Sequence, residues 1–163
     1  MTADRPGLDV TQFRQLFEGS IRVLLNWDAL ADSQPTVECG TFVSPEHVAH
    51  WFTPWYPRDD GGDEYLAGER PLRLRELRAE AVHLSLLRRV KLQEIAASQL
   101  LEPAPLLVAA YHFSAQGTVL LDGNHRLSAA LMYRIPVTVL CIGVRASLDA
   151  NILPDLANLR GSE

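Results

Sequence analysis

The stretch Leu120-Leu121-Asp122-Gly123-Asn124-His125-Arg126-Leu127 constrains this chain more than any other. An apolar strand runs into a three-residue turn and then into a helix that opens with polar groups. Glycine at position 123 permits a backbone conformation closed to other residues and lets a ligand approach the main chain. The flanking segments agree. Leu106 to Phe113 is apolar and aromatic, Ser114-Ala115-Gln116-Gly117 is a turn, and Thr118 to Leu121 is a second strand, so the three read as a β-hairpin. His125 to Tyr133 reads as a helix with Leu127, Ala130 and Leu131 on one face, stopped by Pro136. Val137 to Val144 is an almost continuous apolar strand of the kind buried on both faces. The expectation is an α/β fold, bordering on α+β, with a small mixed sheet and flanking helices.

Length and charge bound the rest. The 163 residues suit one domain, with a core large enough to fold without staples. A net charge of −5 argues against a protein that coats nucleic acid by bulk charge, although it leaves room for a local basic site. No run of about 18 apolar residues exists, so no membrane span is expected. The opening residues lack the charged and apolar regions of a secretory signal. Cys39 and Cys141 are the only cysteines, too few and too far apart for a zinc framework, and a reducing, cytoplasmic setting follows most simply. Fourteen of the fifteen basic residues are arginine. Coding bias accounts for most of that excess, and a planar fork for phosphate or carboxylate accounts for the remainder.

Residues 1–89 read as a mostly helical N-terminal part. Val10, Phe13, Leu16 and Phe17 have helical spacing before Gly19. Ile21 to Trp27 fits strand or helix equally, and Val37 to Val43 fits a short strand. Ser44-Pro45 looks like a cap and first position of a helix reaching about Phe52. Residues 54–70 read as a loop with clustered acids, either a solvated turn, an active-site lid or a metal-binding acidic loop. Leu74, Leu77, Ala81, Leu84 and Leu87 mark one face of a helix over 71–87. Val90-Lys91-Leu92 is a short strand or a second helical piece, and Glu94 to Leu100 is helical until Pro103. From Leu148 a short helix is expected, broken at Pro154, and 145–163 form a tail.

Several side chains invite a functional reading that a structural one outweighs. His47 and His50 share a helical face, as metals like, yet no third ligand stands at a recognisable spacing. Trp51, Phe52, Trp55 and Tyr56 could stack a base, but a core cluster is the simpler reading. Arg70, Arg73, Arg75 and Arg78 suit a solvated, glutamate-paired face, with a phosphate patch facing the motif as the alternative. His83 and His112 suit structural hydrogen bonds.

The turn itself is different. The uncapped amides of a helix N-terminus attract anions, and Asn124 or Asp122 is placed to cap it. His125 and Arg126 lie in the first turn, where a cation opposes the helix dipole unless an anion is bound. His125 can move a proton near neutral pH, and Asp122 can orient a nucleophile or a metal.

Asp122-Gly123-Asn124-His125-Arg126-Leu127-Ser128-Ala129-Ala130 resembles the signature of the ParB/sulfiredoxin-like superfamily. Leu92 to Ser98, Leu100-Leu101-Glu102-Pro103, Leu106-Leu107-Val108 and Ile135-Pro136-Val137 are similar to its flanking elements, in the same order, over about residues 90–144. The resemblance implies a small α/β domain holding a nucleotide phosphate over the motif turn. Activities in the superfamily include CTP-dependent clamps, nucleases, free-serine kinases and sulfinic acid reduction. Asn124 stands where sulfiredoxins carry a cysteine, which speaks against sulfinic reduction. About 20 residues follow the last strand, which leaves no space for the helix-turn-helix of a partition clamp. Glu38 and Glu46 lie upstream, where related kinases supply a carboxylate, and neither is assigned that role.

The resulting expectation is an enzyme that binds a nucleoside triphosphate with Mg²⁺ and hydrolyses it or passes a phosphoryl group to a small acceptor. Gly123, Asn124, Arg126 and Ser128 would bind phosphate. Asp122, His125 and Arg126 would be catalytic, with Asp122 as base or metal ligand. A ParB-like metal-dependent nuclease and a non-catalytic regulatory protein are the alternatives.

Overall fold

The computed structural model describes residues 7–53, 72–80 and 84–154. The loop expected at 54–70, with Trp55, Tyr56 and Arg70, lies outside them, as do His83 and the end of the tail. Among the described residues six strands form one mixed sheet. They are β1 (Thr36–Phe42), β2 (Phe52–Thr53), β3 (Leu72–Arg73), β4 (Leu106–His112), β5 (Thr118–Asp122) and β6 (Val139–Arg145), arranged in the order β1-β6-β4-β5-β2-β3. β6 runs parallel to β4 and antiparallel to β1, while β5 is antiparallel to β4 and parallel to β2. The expected α/β class with a small mixed sheet and flanking helices is what the chain forms.

The sheet has a core on each face, because side chains alternate along each strand. On one face Leu106, Val108, Ala110, Leu120, Val139 and Cys141 pack with helices α4 (Leu86–Leu101) and α5 (Asn124–Met132). On the other, Ala109, Tyr111, Val119, Leu121 and Val144 meet α1 (Val10–Phe17) and α2 (Trp27–Asp32) through Phe13, Phe17 and Leu30. β6 is therefore covered on both faces, although Leu140 is 37% exposed. The outer β1 is joined to it by a two-pronged ion pair, with Arg145 Nε and Nη2 donating to the Glu38 carboxylate at 2.6 and 2.9 Å.

Local chemistry explains where the expected elements held. Asp9 and Gln12 close a capping box on α1, and the hairpin between β4 and β5 forms, with Phe113 joining the expected Ser114–Gly117 turn in the loop. It also explains the departures. Ser44 does cap, accepting from the Glu46 N–H, but only a four-residue 3₁₀ turn (Pro45–Val48) follows, and Phe52 belongs to β2. Ile21 to Leu25 is neither strand nor helix, and Asn26 instead caps α2 by accepting from Ala29 N–H. The helix expected over 71–87 is divided. Leu72–Arg73 is β3, and a 3₁₀ turn (Leu74–Glu76) and short helix α3 (Leu77–Glu80) follow. Ser85 then caps α4, whose sixteen residues lack Gly and Pro and absorb the uncertain piece at 90–92. Leu74, Leu77 and Leu84 are buried as expected, while Leu87, on the new helix, is 81% exposed. After β6 the chain turns at Asp149 rather than forming a helix, and it buries Ile152 and Leu153 in the second core.

Candidate phosphate site at the β5–α5 turn

The turn is built by three local features. The β4–β5 register shifts at the Ala109–Ala110 step, so that Ala109 faces Asp122 and Ala110 faces Leu120. Such a bulge re-aims the strand end that carries Asp122. Gly123 follows with φ +92°, in the left-handed region, and a Cβ there would stand 2.6 Å from Val108 Cγ1. Both conformation and space therefore require glycine. The first helical hydrogen bond then runs from Leu127 N–H to the Gly123 carbonyl, 2.9 Å.

The residue at the N-cap of α5 is Gly123, which has no side chain with which to cap it. This corrects the expectation that Asn124 or Asp122 would do so, because both are engaged elsewhere. Asn124 Oδ1 accepts a 2.6 Å hydrogen bond from the hydroxyl of fully buried Thr53, tying the helix to β2. Asp122 Oδ2 lies 3.6 Å from Arg126 Nη2. A nine-residue helix thus presents its positive end beside a glycine turn, and its N-cap residue, Gly123, brings no side chain to the first-turn amides.

The basic side chains expected at the turn, His125 and Arg126, are there, and each is held. Arg126 Nη2 donates to the Leu107 carbonyl of β4 at 2.9 Å, which fixes the guanidinium on the strand edge and leaves its other donors for a further partner. The backbone beneath it is braced as well, since Gln99 Nε2 of α4 donates to the Arg126 carbonyl at 2.9 Å. Arg88 Nη1 lies 2.9 Å from His125 Nε2. A guanidinium carries donors only, so Nε2 is the acceptor and the ring proton sits on Nδ1. In this arrangement the Nε2 lone pair is occupied and His125 serves to position Arg88 rather than to take up a proton at that atom.

Ser128 is not part of this surface. It is fully buried on the inner side of α5, and among the described residues its hydroxyl has no hydrogen-bond partner, so the phosphate contact expected of it is removed. Gly123, Asn124, His125, Arg126 and Asp122 are brought together. Arg88, Thr53 and Gln99 complete the arrangement, and nothing in their own sequence context marks them. Only the polar character of Gln99 within an otherwise packed helix face hints at a buried task.

The other candidates resolve into structure. Trp51 and Phe52 are buried, and Trp51 meets Phe42 and His112 edge-on. His112 Nδ1 bonds the Thr118 hydroxyl at 2.8 Å, and burial holds its imidazole below the usual histidine range, with the Arg145 charge adding to the effect. His47 and His50 belong to no group of three metal-binding side chains among the described residues. Arg73 lies over the Phe52 ring and donates to the His50 carbonyl. Arg75 and Arg78 do not face the motif turn. They sit with Leu131, Met132 and Arg134 at the opposite end of α5. Glu38 is spent on Arg145.

No family model, curated protein or solved structure matches this chain. Among the described residues no helix is long and apolar enough to cross a membrane.

Proposed function

We propose that the β5–α5 turn binds the phosphates of a nucleoside triphosphate and supports its hydrolysis or phosphoryl transfer to a small acceptor. The observation that carries this reading is the N-terminus of α5 behind a left-handed Gly123 that brings no capping side chain, with Arg126 and the Arg88–His125 pair beside it. Backbone amides directed from a helix start, joined by guanidinium forks, are the arrangement that phosphate oxygens favour. The resemblance of the motif to the ParB/sulfiredoxin-like superfamily supports the nucleotide as the phosphate's carrier.

Each residue has a separate task in this reading. The amides after Gly123 meet phosphate oxygens, and Arg126, oriented by Leu107 and Asp122, spreads positive charge over them. Arg88 adds a second guanidinium held by His125. Asn124 keeps the helix start in place through Thr53. Among the described residues Asp122 is the carboxylate at the turn, which suits a metal held by one or two carboxylates together with the substrate's own phosphates. Mg²⁺ bound there would neutralise charge on the phosphates. Asp122 is also the group at the turn able to accept a proton from an attacking hydroxyl.

One observation favours a second reading, binding without turnover: His125 Nε2 and the Asp122 carboxylate both already face an arginine. A nuclease is less favoured, because the −5 charge opposes approach to a polyanion. Calorimetric titration with ATP, GTP, CTP and UTP, with and without MgCl₂, tests the proposal on wild type, Arg126→Lys and Arg88→Ala. Saturable heat with at least one nucleotide, weakened at least tenfold by either substitution, is expected. The absence of heat with all four overturns it. Phosphate release from the bound nucleotide distinguishes turnover from storage.

A further inference from the structure

The far end of α5 carries a feature that the proposed nucleotide site does not use. A pocket of about 220 Å³ is lined by Glu46, Leu74, Arg75, Arg78, Met132 and Arg134. It lies roughly 13 Å from the Gly123 turn, the length of a nine-residue helix at 1.5 Å per residue. Three guanidiniums border it. Among the described residues, Arg75, Arg78 and Arg134 make no ion pair and no side-chain hydrogen bond.

The backbone at this pocket is specialised. Helix α5 ends in a Schellman arrangement, with Ile135 N–H donating to the Ala130 carbonyl at 2.8 Å and Arg134 N–H to that of Leu131 at 3.4 Å. The residue at its centre adopts φ +54°, a position where glycine or asparagine is the ordinary choice, and here it is Arg134. A helix C-terminus favours a nearby cation, but an arginine at position 133 or 135 would serve that end without left-handed backbone. Strain accepted at a residue that lines a pocket points to a task for its side chain. Arg75 is fixed from the other side, since its N–H donates to the Ala49 carbonyl at 2.8 Å.

We propose that this pocket binds the phosphate group of a small phosphomonoester through Arg75, Arg78 and Arg134, with Glu46 accepting a hydrogen bond from a hydroxyl on the ligand's body. Charge and size select this class. Three arginines and one glutamate give a net +2, which matches the charge of about −1.5 to −2 on a phosphomonoester at neutral pH. The volume is below the roughly 300–1,000 Å³ typical of drug-sized ligands, so a whole nucleoside triphosphate is too large. Leu74 and Met132 supply an apolar wall for the carbon skeleton. The site is separate from the β5–α5 turn and does not depend on the reading given to that turn.

Thermal-shift and calorimetric titration of the intact chain with inorganic phosphate, glucose 6-phosphate and glucose tests this. Glucose 6-phosphate is expected to bind and raise the melting temperature, and glucose to do neither. Inorganic phosphate binding equally well identifies the free anion as sufficient, and weaker binding identifies the hydroxylated body as part of recognition. Arg78→Ala and Arg134→Gly are each expected to weaken binding at least tenfold. Arg134→Gly is the informative variant, because glycine suits the left-handed position and should keep or raise the unliganded melting temperature while binding is lost. The proposal is overturned if neither phosphate compound binds, or if both variants bind as wild type does. It is equally overturned if Arg126→Ala, rather than these variants, abolishes binding, which would assign the anion to the turn.

Discussion

At the scale of single residues, Gly123 and Ser128 carry opposite lessons. Gly123 combines a left-handed conformation with contact against Val108. Gly123→Ala should destabilise the fold by about 2–4 kcal/mol, the sum of a left-handed penalty and local overpacking. Urea denaturation measures it, and a loss under 1 kcal/mol would show that the turn relaxes easily. Ser128 is a buried hydroxyl without a partner among the described residues. Ser128→Ala should stabilise by about 1 kcal/mol, from a better helix former and a removed unsatisfied group, without altering nucleotide binding. A loss of binding in that variant would return Ser128 to the site. Gly123 was legible in the sequence because turn chemistry is local. The burial of Ser128 was not, since a serine four positions into a helix reads equally as an inner or outer residue.

At the scale of elements, what could be read was what neighbouring residues decide among themselves. Apolar runs and turn residues marked β4, β5 and β6, and helical spacing before Gly19 marked α1. The division of 71–87 was hidden because Leu74, Leu77 and Leu84 keep helical spacing while belonging to a turn, a short helix and the approach to α4. The Asn124–Thr53 and His125–Arg88 contacts join residues 71 and 37 positions apart, and no local pattern encodes them. The sheet also makes a pH prediction. Burial depresses the His112 imidazole from its ordinary 6.5, so the folded state favours the neutral ring. Its contribution to stability is complete above about pH 6.5 and is lost as pH falls through that value towards the lower folded one. Glu38, held low by its hydrogen bonds to Arg145, acts in a separate window below its ordinary 4.5, and weakly, because the pair is solvent-exposed. Between pH 7.5 and 5 the melting temperature of wild type should therefore fall further than that of His112→Gln. Equal falls would contradict the assignment.

At the scale of the whole molecule, the −5 charge and the arginine-rich composition take on a spatial meaning. A sheet with a core on each face supports α5, its start beside Arg126 and Arg88 and its end beside Arg75, Arg78 and Arg134. Five arginines stand at these two ends, while Arg73 and Arg145 are engaged elsewhere, with the Phe52 ring and with Glu38. The central claim is that phosphate sits on the start of α5. The most direct measurement is a ¹⁵N–¹H correlation spectrum of the intact chain titrated with a nucleoside triphosphate and MgCl₂. The account predicts that the amides of Gly123, Asn124, His125 and Arg126 move first and saturate together. Shifts confined to other parts of the chain, or none with any of the four nucleotides, would contradict it.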